Sequence, residues 1–219
     1  MINGVIFDLD GTLIDSMGSW GNADRRFLIE NRIDPSVDPL ISEKMKRLSM
    51  REAAEYFIKL GVNMHPDEIT DRIEKLVYDE YENTIELKPY VKDFLEFLDY
   101  KKINYCVATA NYRTLTDTVL KRHGIYDRFK FIYTCAETGI KKDSPLFFKN
   151  VAEKLGSEVK HTAVIDDSVH CIESAKNAGF YTIAVLDDTA NDDHSRLKEI
   201  SDMTIKTFSE LIEKADLIF

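Results

Sequence analysis

The sequence predicts a doubly wound α/β core, a parallel sheet with helices on both faces, carrying an all-helical insertion after its first strand. Three observations support this. An apolar run opens the chain and ends in Asp8-Leu9-Asp10-Gly11, residues 16 to about 84 read as helix throughout, and from Lys88-Pro89 onward strand and helix patterns alternate.

The elements follow in order. Val5-Ile6-Phe7 is a short buried strand, and side-chain alternation puts Asp8 and Asp10 on one side with Phe7 and Leu9 on the other. Between Ser19 and Arg32, Trp20, Ala23, Phe27, Leu28 and Ile29 follow helical spacing, and Pro35 and Pro39 mark a break. Ser49-Met50-Arg51-Glu52 is a start signal for a helix carrying Ala53, Ala54, Phe57, Ile58 and Leu60, with Gly61 as its stop. Pro66-Asp67-Glu68 opens another, whose stripe is Ile69, Ile73, Leu76, Val77, Tyr78 and Tyr81.

The alternating part begins with a helix over Tyr90 to Lys101 and continues with the strand Tyr105 to Ala108 and a helix from Tyr112 to His123. It runs on through the strand Phe131 to Tyr133, a helix from Pro145 to Leu155, the strand Ala163 to Ile165 and a helix from Ser168 to Ala178. The strands Thr182 to Leu186 and Met203 to Ile205 and a helix from Ser209 to Ala215 complete a Rossmann-like core. The expected organisation is a catalytic core of residues 1–15 and 85–219 and a helical domain of residues 16–84.

Composition narrows the function classes. A chain of 219 residues, 44% hydrophobic, can bury a sizeable core, and its net charge of −10 argues against nucleic acid or an anionic membrane as partner. Cys106, Cys135 and Cys171 have neither a CxxC nor a zinc-type spacing and read as free thiols in a reducing compartment. The first strand starts too early to leave room for a signal peptide, and no apolar run approaches the ~18 residues that span a bilayer. A cytoplasmic protein is expected.

In an open parallel sheet, ligands bind beyond the carboxyl ends of the strands. Applied here, that rule gathers Asp8 and Asp10, then Thr109, Ala110 and Asn111, then Lys141 and Lys142, and finally Asp166, Asp167 and Ser168 on one edge. Four carboxylates so placed repel one another unless a hard divalent cation with oxygen ligands, such as Mg2+, intervenes. One carboxylate can then attack phosphorus, while Thr109, backbone N–H groups and a lysine hold phosphoryl oxygens. Asp10 is placed to protonate a leaving oxygen and later to deprotonate water. Taken alone, the DxD also suits an acidic turn, and the Asp166-Asp167 pair a helix N-cap.

DLDGTLID at 8–15, ATAN at 108–111, KKDSP at 141–145 and VIDDS at 164–168 together resemble the four motifs of the haloacid dehalogenase superfamily of hydrolases. The similarity is to its helical-cap branch of phosphatases and beta-phosphoglucomutases. It implies Asp8 as the nucleophile that forms an aspartyl-phosphate, Asp10 as general acid and base, Thr109 as phosphate ligand and a third-motif lysine as charge neutraliser. Lys142, Pro145 and Phe148 satisfy the usual third-motif spacing better than Lys141 does.

The implied Mg2+ site comprises Asp8, the Asp10 carbonyl and one or both of Asp166 and Asp167, with Asp167 at the position most often bound directly. Gly11, Thr12, Ala110 and Asn111 join the substrate-binding set, with Trp20 and Arg51 as cap candidates. Trp20, where beta-phosphoglucomutases carry a histidine, favours a phosphatase over a mutase; it reads as a cap packing residue, with substrate stacking as the alternative. Arg51 fits a phosphate contact or an exposed helix start equally. Asp187, Asp188, Asp192 and Asp193 read as a solvated loop, and no histidine is given a catalytic role.

The resulting expectation is a Mg2+-dependent phosphatase acting on a small phosphorylated metabolite, a sugar phosphate or a relative of one. A sugar-phosphate mutase is the alternative within the enzymes. A phosphoaspartate receiver is the alternative of another class, disfavoured because a receiver places its acid pair first and its acceptor later. Oligomeric state is left open.

Overall fold

The computed structural model describes residues 1–45, 50–187 and 193–219, apart from the side chains of residues 17, 19–21, 42, 43 and 50. It divides into two compact units, one of residues 1–15 and 86–219 and one of residues 16–85.

In the first unit, β1 (Gly4–Phe7), β2 (Asn104–Thr109), β3 (Ile132–Thr134), β4 (Thr162–Asp166), β5 (Tyr181–Val185) and β6 (Met203–Ile205) form one sheet in the order β3-β2-β1-β4-β5-β6. Every neighbouring pair is parallel, and β1 lies between β2 and β4 with Phe7 opposite Val107 and Ile165. All four β1 residues are buried, which is why the strand reads as an unbroken apolar run without alternation. It ends at Phe7 as expected, so Asp8 and Asp10 stand one and three positions beyond the strand, at its carboxyl end.

Helices cover both faces. On one, Ile6, Cys106, Ala108 and Val164 pack against Phe147, Phe148 and Val151 of α8 (Pro145–Leu155) and Cys171 and Ala175 of α9 (Val169–Ala178). On the other, the Phe7 ring meets Phe94 of α5 (Val91–Tyr100) edge-on at 6.0 Å and Phe208 of α11 (Phe208–Ile218) at 6.3 Å. Burying such rings costs little conformational entropy for the area removed from water, and β1 is thereby fixed from both sides. The Arg113–Arg122 helix, α6, follows β2. Two short helices of this unit, α7 (Cys135–Thr138) and α10 (His194–Ile200), are absent from the sequence expectation because each is too short to show an apolar period.

The second unit is helical: α1 (Met17–Glu30), a 3-10 turn at Pro35–Val37, α2 (Ile41–Met45), α3 (Met50–Lys59) and α4 (Pro66–Asn83). Ser49, part of the start signal for α3, lies outside the described residues. Phe27 of α1 and Phe57 of α3 meet edge-on at 4.9 Å, and Ile69, Ile73, Leu76, Val77 and Tyr81 of α4 are buried. Tyr78, expected in that stripe, is exposed; it lies off the face formed by Ile73, Leu76, Val77 and Tyr81. His65 and Glu68 make a reciprocal capping box at the start of α4. Arg26 reaches Glu80 at 2.7 Å and Arg72 reaches Glu30 at 2.8 Å, tying α1 to α4.

The two chain segments that lead into and out of the helical unit pair with each other. Asp15 N–H donates to the Glu86 carbonyl at 2.9 Å and Lys88 N–H to the Leu13 carbonyl at 2.9 Å, with Ile14 and Leu87 bridged antiparallel between them. The Lys88 ammonium then donates to Asp187, just past β5. For Asp187 this corrects the expectation of a solvated acidic loop: it is buried and bound to Lys88, and its carbonyl lies 2.8 Å from Nε2 of His194, whereas Asp193 is exposed as expected. A count of like charges along the sequence carries no information about a cation 99 positions away. Asp188 and Asp192 lie outside the described residues.

Candidate active site

The predicted groups converge where the sheet changes direction, at the carboxyl ends of β1, β2 and β4. In a doubly wound sheet the connections from neighbouring strands leave for opposite faces at that point and open a crevice. Asp8 follows β1, Thr109 closes β2, and Asp166 closes β4, each held by a strand buried on both faces.

Lys142 arrives from outside the sheet. It sits between α7, capped by the Thr134 hydroxyl at one end and by Gly139 in the left-handed region at the other, and α8, which starts at Pro145 and anchors in the core through Phe147 and Phe148. With both flanks fixed, the intervening loop directs Lys142 inward. Its ammonium donates to Asp8 Oδ1 at 2.6 Å and to Asp166 Oδ2 at 2.6 Å, all three side chains being buried. Lys141, the alternative, is exposed.

The remaining contacts distinguish the two aspartates of the fourth motif. Asp166 has both oxygens engaged, Oδ2 by Lys142 and Oδ1 by the Ser168 N–H at 2.9 Å. The N-cap of α9 is Ser168, which makes no side-chain cap bond, so the N-cap reading of the aspartate pair is corrected: Asp166 binds the N–H of the cap residue itself. Asp167 is partly exposed, and its Oδ1 accepts a long 3.4 Å contact from the Thr12 hydroxyl. Carboxylate oxygens of Asp8, Asp166 and Asp167 come within 4.8 Å of one another. Sequence reasoning missed the Ser168 N–H; an aspartate two residues ahead of a backbone N–H at a helix start is the signal that could have found it.

Electrostatics follow from this crowding. Burial, reinforced by Asp166 and Asp10 and opposed by Lys142, pushes the Asp8 carboxyl up to about 7. The desolvation of its carboxyl within the cluster, together with Asp166 and Asp8 and against Lys142, also drives the partly exposed Asp167 well above the usual carboxylate range. Burial alone would lower Lys142, but Asp166 and Asp8 outweigh it and hold the ammonium well above the ordinary lysine value. One ammonium cannot keep three crowded carboxyl groups ionised, and an oxygen-only donor set of this kind suits a hard divalent cation that would.

Gly11 is required by the approach of Asp167. Its φ of +78° is one that L side chains rarely adopt, and a Cβ there would stand 2.3 Å from Asp167 Oδ2. On the β2 side, the buried Thr109 hydroxyl accepts from Asn111 N–H at 3.0 Å, which leaves the hydroxyl hydrogen to donate outward. Ala110 is exposed beside it, and the Asn111 amide donates to Asp10 Oδ2 at 2.8 Å. The structure thus brings together Asp8, Asp10, Gly11, Thr12, Thr109, Ala110, Asn111, Lys142, Asp166 and Asp167, all in the first unit. Trp20 lies on α1 of the helical unit; Arg51, on α3, is exposed and 3.7 Å from Glu55 one turn away.

A family model described as haloacid dehalogenase-like hydrolase matches residues 5–185, a span that holds all four motifs. The chain belongs to the haloacid dehalogenase-like hydrolases. Among relatives of this hydrolase, the pyrophosphatase PpaX of Oceanobacillus iheyensis is 27% identical over 184 residues, covering 84% of this chain and 83% of the relative. The phosphorylated carbohydrates phosphatase of Thermotoga maritima is 27% identical over 201 residues, covering 89% of each. A beta-phosphoglucomutase-like structure from Thermotoga maritima superposes with a TM-score of 0.87 over the whole of both chains at 20% identity, which establishes the shared fold.

Proposed function

We propose that this hydrolase is a Mg2+-dependent phosphatase that cleaves a small phosphomonoester, a sugar phosphate or a related metabolite, through an aspartyl-phosphate on Asp8. The observation that carries the reading is the buried Lys142 ammonium, shared between Asp8 and Asp166 beside Asp167. A single ammonium shared among three carboxyl groups compensates Asp8 only in part, and a bound divalent cation would complete the charge balance of the nucleophile. The phosphatase names among its relatives support the same class.

Asp8, the Asp10 carbonyl and Asp167 would hold the ion, with Asp166 contributing directly or through water. When bound, Mg2+ neutralises the carboxylates and the oxygens of the transferring phosphoryl group. The chain's own residues carry the steps. An Asp8 carboxylate oxygen forms the bond to phosphorus as the bond from phosphorus to the leaving oxygen breaks, and the Asp10 carboxyl gives its proton to that oxygen. In the second half Asp10, now ionised, takes a proton from water as the water oxygen attacks phosphorus, and the bond from Asp8 to phosphorus breaks to release inorganic phosphate. The Thr109 hydroxyl, the Ala110 N–H and the Lys142 ammonium hold phosphoryl oxygens throughout.

The three unpaired cysteines support a reducing, cytoplasmic setting. No helix among the described residues is long and apolar enough to cross a membrane.

A phosphate-release screen over phosphorylated sugars, sugar alcohols, short acids and inorganic pyrophosphate tests the reading. Release is expected with Mg2+, and none after EDTA treatment or with Asp8→Asn. Equal release by wild type and variant, or indifference to EDTA, would contradict it. An isomerised phosphate ester in place of free phosphate would instead identify the mutase.

A further inference from the structure

The sequence places Asn111 among the phosphate-binding groups of the second motif, but its contacts assign its side chain another task. Its position is fixed locally. Thr109 Oγ1 accepts the Asn111 N–H at 3.0 Å, and the side-chain Oδ1 of Asn111 accepts the Tyr112 N–H at 2.7 Å. A backbone N–H can only donate, so the atom facing it must be the carbonyl oxygen of the amide. The other end is therefore NH2, and it lies 2.8 Å from Asp10 Oδ2.

We propose that Asn111 is a positioning residue that holds the Asp10 carboxyl by Oδ2, so that Oδ1 is the oxygen that carries the proton to and from the reacting centre. The chemistry is directional. An NH2 group has no lone pair to accept a proton from Oδ2, so a proton on Asp10 sits on Oδ1, away from Asn111. The same bond fixes the rotamer of a side chain only partly buried, which otherwise loses rotamer freedom each time it reaches the leaving oxygen. The assignment rests on Asp10 as the general acid and base. It deepens that reading by adding a residue that acts through Asp10 and not on phosphate or metal.

The proposal separates from a phosphate-binding role through the leaving group. In the first half-reaction the bond from Asp8 to phosphorus forms while the leaving oxygen departs with the Asp10 proton. An alkoxide needs that proton, whereas p-nitrophenolate departs without it. Because kcat/KM reports steps up to release of the leaving group, it isolates this event. Asn111→Ala should lower kcat/KM about 100-fold on the best alkyl phosphate of the screen, the lower range for loss of general acid help. It should change kcat/KM on p-nitrophenyl phosphate less than about threefold, since the proton term drops out.

Asn111→Ser, whose hydroxyl can donate over a shorter reach, should recover part of the alkyl phosphate rate. Far-UV circular dichroism and thermal melting of both variants report whether the fold is kept, and the ratio of the two substrates within one variant is independent of the folded fraction. An equal loss on both esters would overturn the proposal and return Asn111 to phosphate binding; an unchanged rate on the alkyl ester would overturn it as well. Failure of the phosphatase reading looks different: wild type would release phosphate from neither ester, and the proposal would fall with it.

Discussion

Lys142 and Asp8, 134 positions apart in the chain, meet at 2.6 Å in the buried end of the crevice. The ammonium also holds Asp166 at 2.6 Å, so two carboxylates share one cation. Removing it should disable the site. Lys142→Met is expected to lower kcat about 10²- to 10³-fold, the range for loss of one electrostatic donor in a dry site. It should also destabilise the protein by about 3–5 kcal/mol in the absence of metal, because Asp8 and Asp166 are then buried without their shared ammonium. Lys142→Arg should not restore activity, since a planar fork cannot replace a compact ammonium between two carboxylates. Steady-state kinetics and urea unfolding check all three.

Gly11→Ala tests the close approach of Asp167. The added Cβ would meet Asp167 Oδ2 at 2.3 Å and its Cγ at 2.7 Å, and alanine is strained at φ +78°. Asp167 must move, and a displacement of about 1 Å at a positioned group costs about 10²-fold in rate. Expected are a fall of that size in kcat/KM and a weaker apparent Mg2+ affinity by isothermal titration. Wild-type Mg2+ affinity in the variant would show that Asp167 is not a ligand.

The Lys88–Asp187 pair fixes the segment by which the chain returns from the helical unit. Lys88→Met takes the ammonium from a buried carboxylate and should cost about 3–5 kcal/mol, whereas combining Lys88→Met with Asp187→Leu should recover much of that loss. Denaturant unfolding of the two single variants and the double variant measures the coupling.

Asp24 of α1 gives the folding stability a pH dependence of its own. It is buried beside Ala23 and Phe27, and burial alone raises its carboxyl from 3.8 to about 7. The folded value lies above the unfolded one, so the folded state binds more protons and stability falls as pH rises. This contribution is complete below pH about 4, declines by at most about 1.4 kcal/mol per unit, and levels off above about 7. Asp24→Asn should flatten that slope and make the protein more stable at neutral pH by about 1–3 kcal/mol. Urea unfolding at several pH values from about 5 to 8 measures the difference in slope.

The sheet and its edge were legible because their causes are local. The runs at Val5 to Phe7 and Ala163 to Ile165 are unbroken since both faces of a central parallel strand are covered, and the site residues follow directly at the strand ends. Pro145 marked the start of α8 to the residue, since a proline at N1 forfeits no hydrogen bond. What stayed hidden depends on partners distant in sequence. Asp187 reads as solvated until Lys88 reaches it, and the bond from the Asn111 amide to Asp10 joins residues 101 positions apart. The buried Asp24 breaks the rule that places carboxylates outside, so no period could have placed it.

Reductive trapping tests the central claim, a covalent phosphoryl group on Asp8, most directly. The protein is mixed with its best substrate and Mg2+, quenched with borohydride during turnover, digested and read by mass spectrometry. An acyl phosphate is reduced to the alcohol, so homoserine is predicted at position 8 in the wild type and nowhere in Asp8→Asn. Homoserine at position 10, 166 or 167, or full turnover with no reduced residue, would contradict the account.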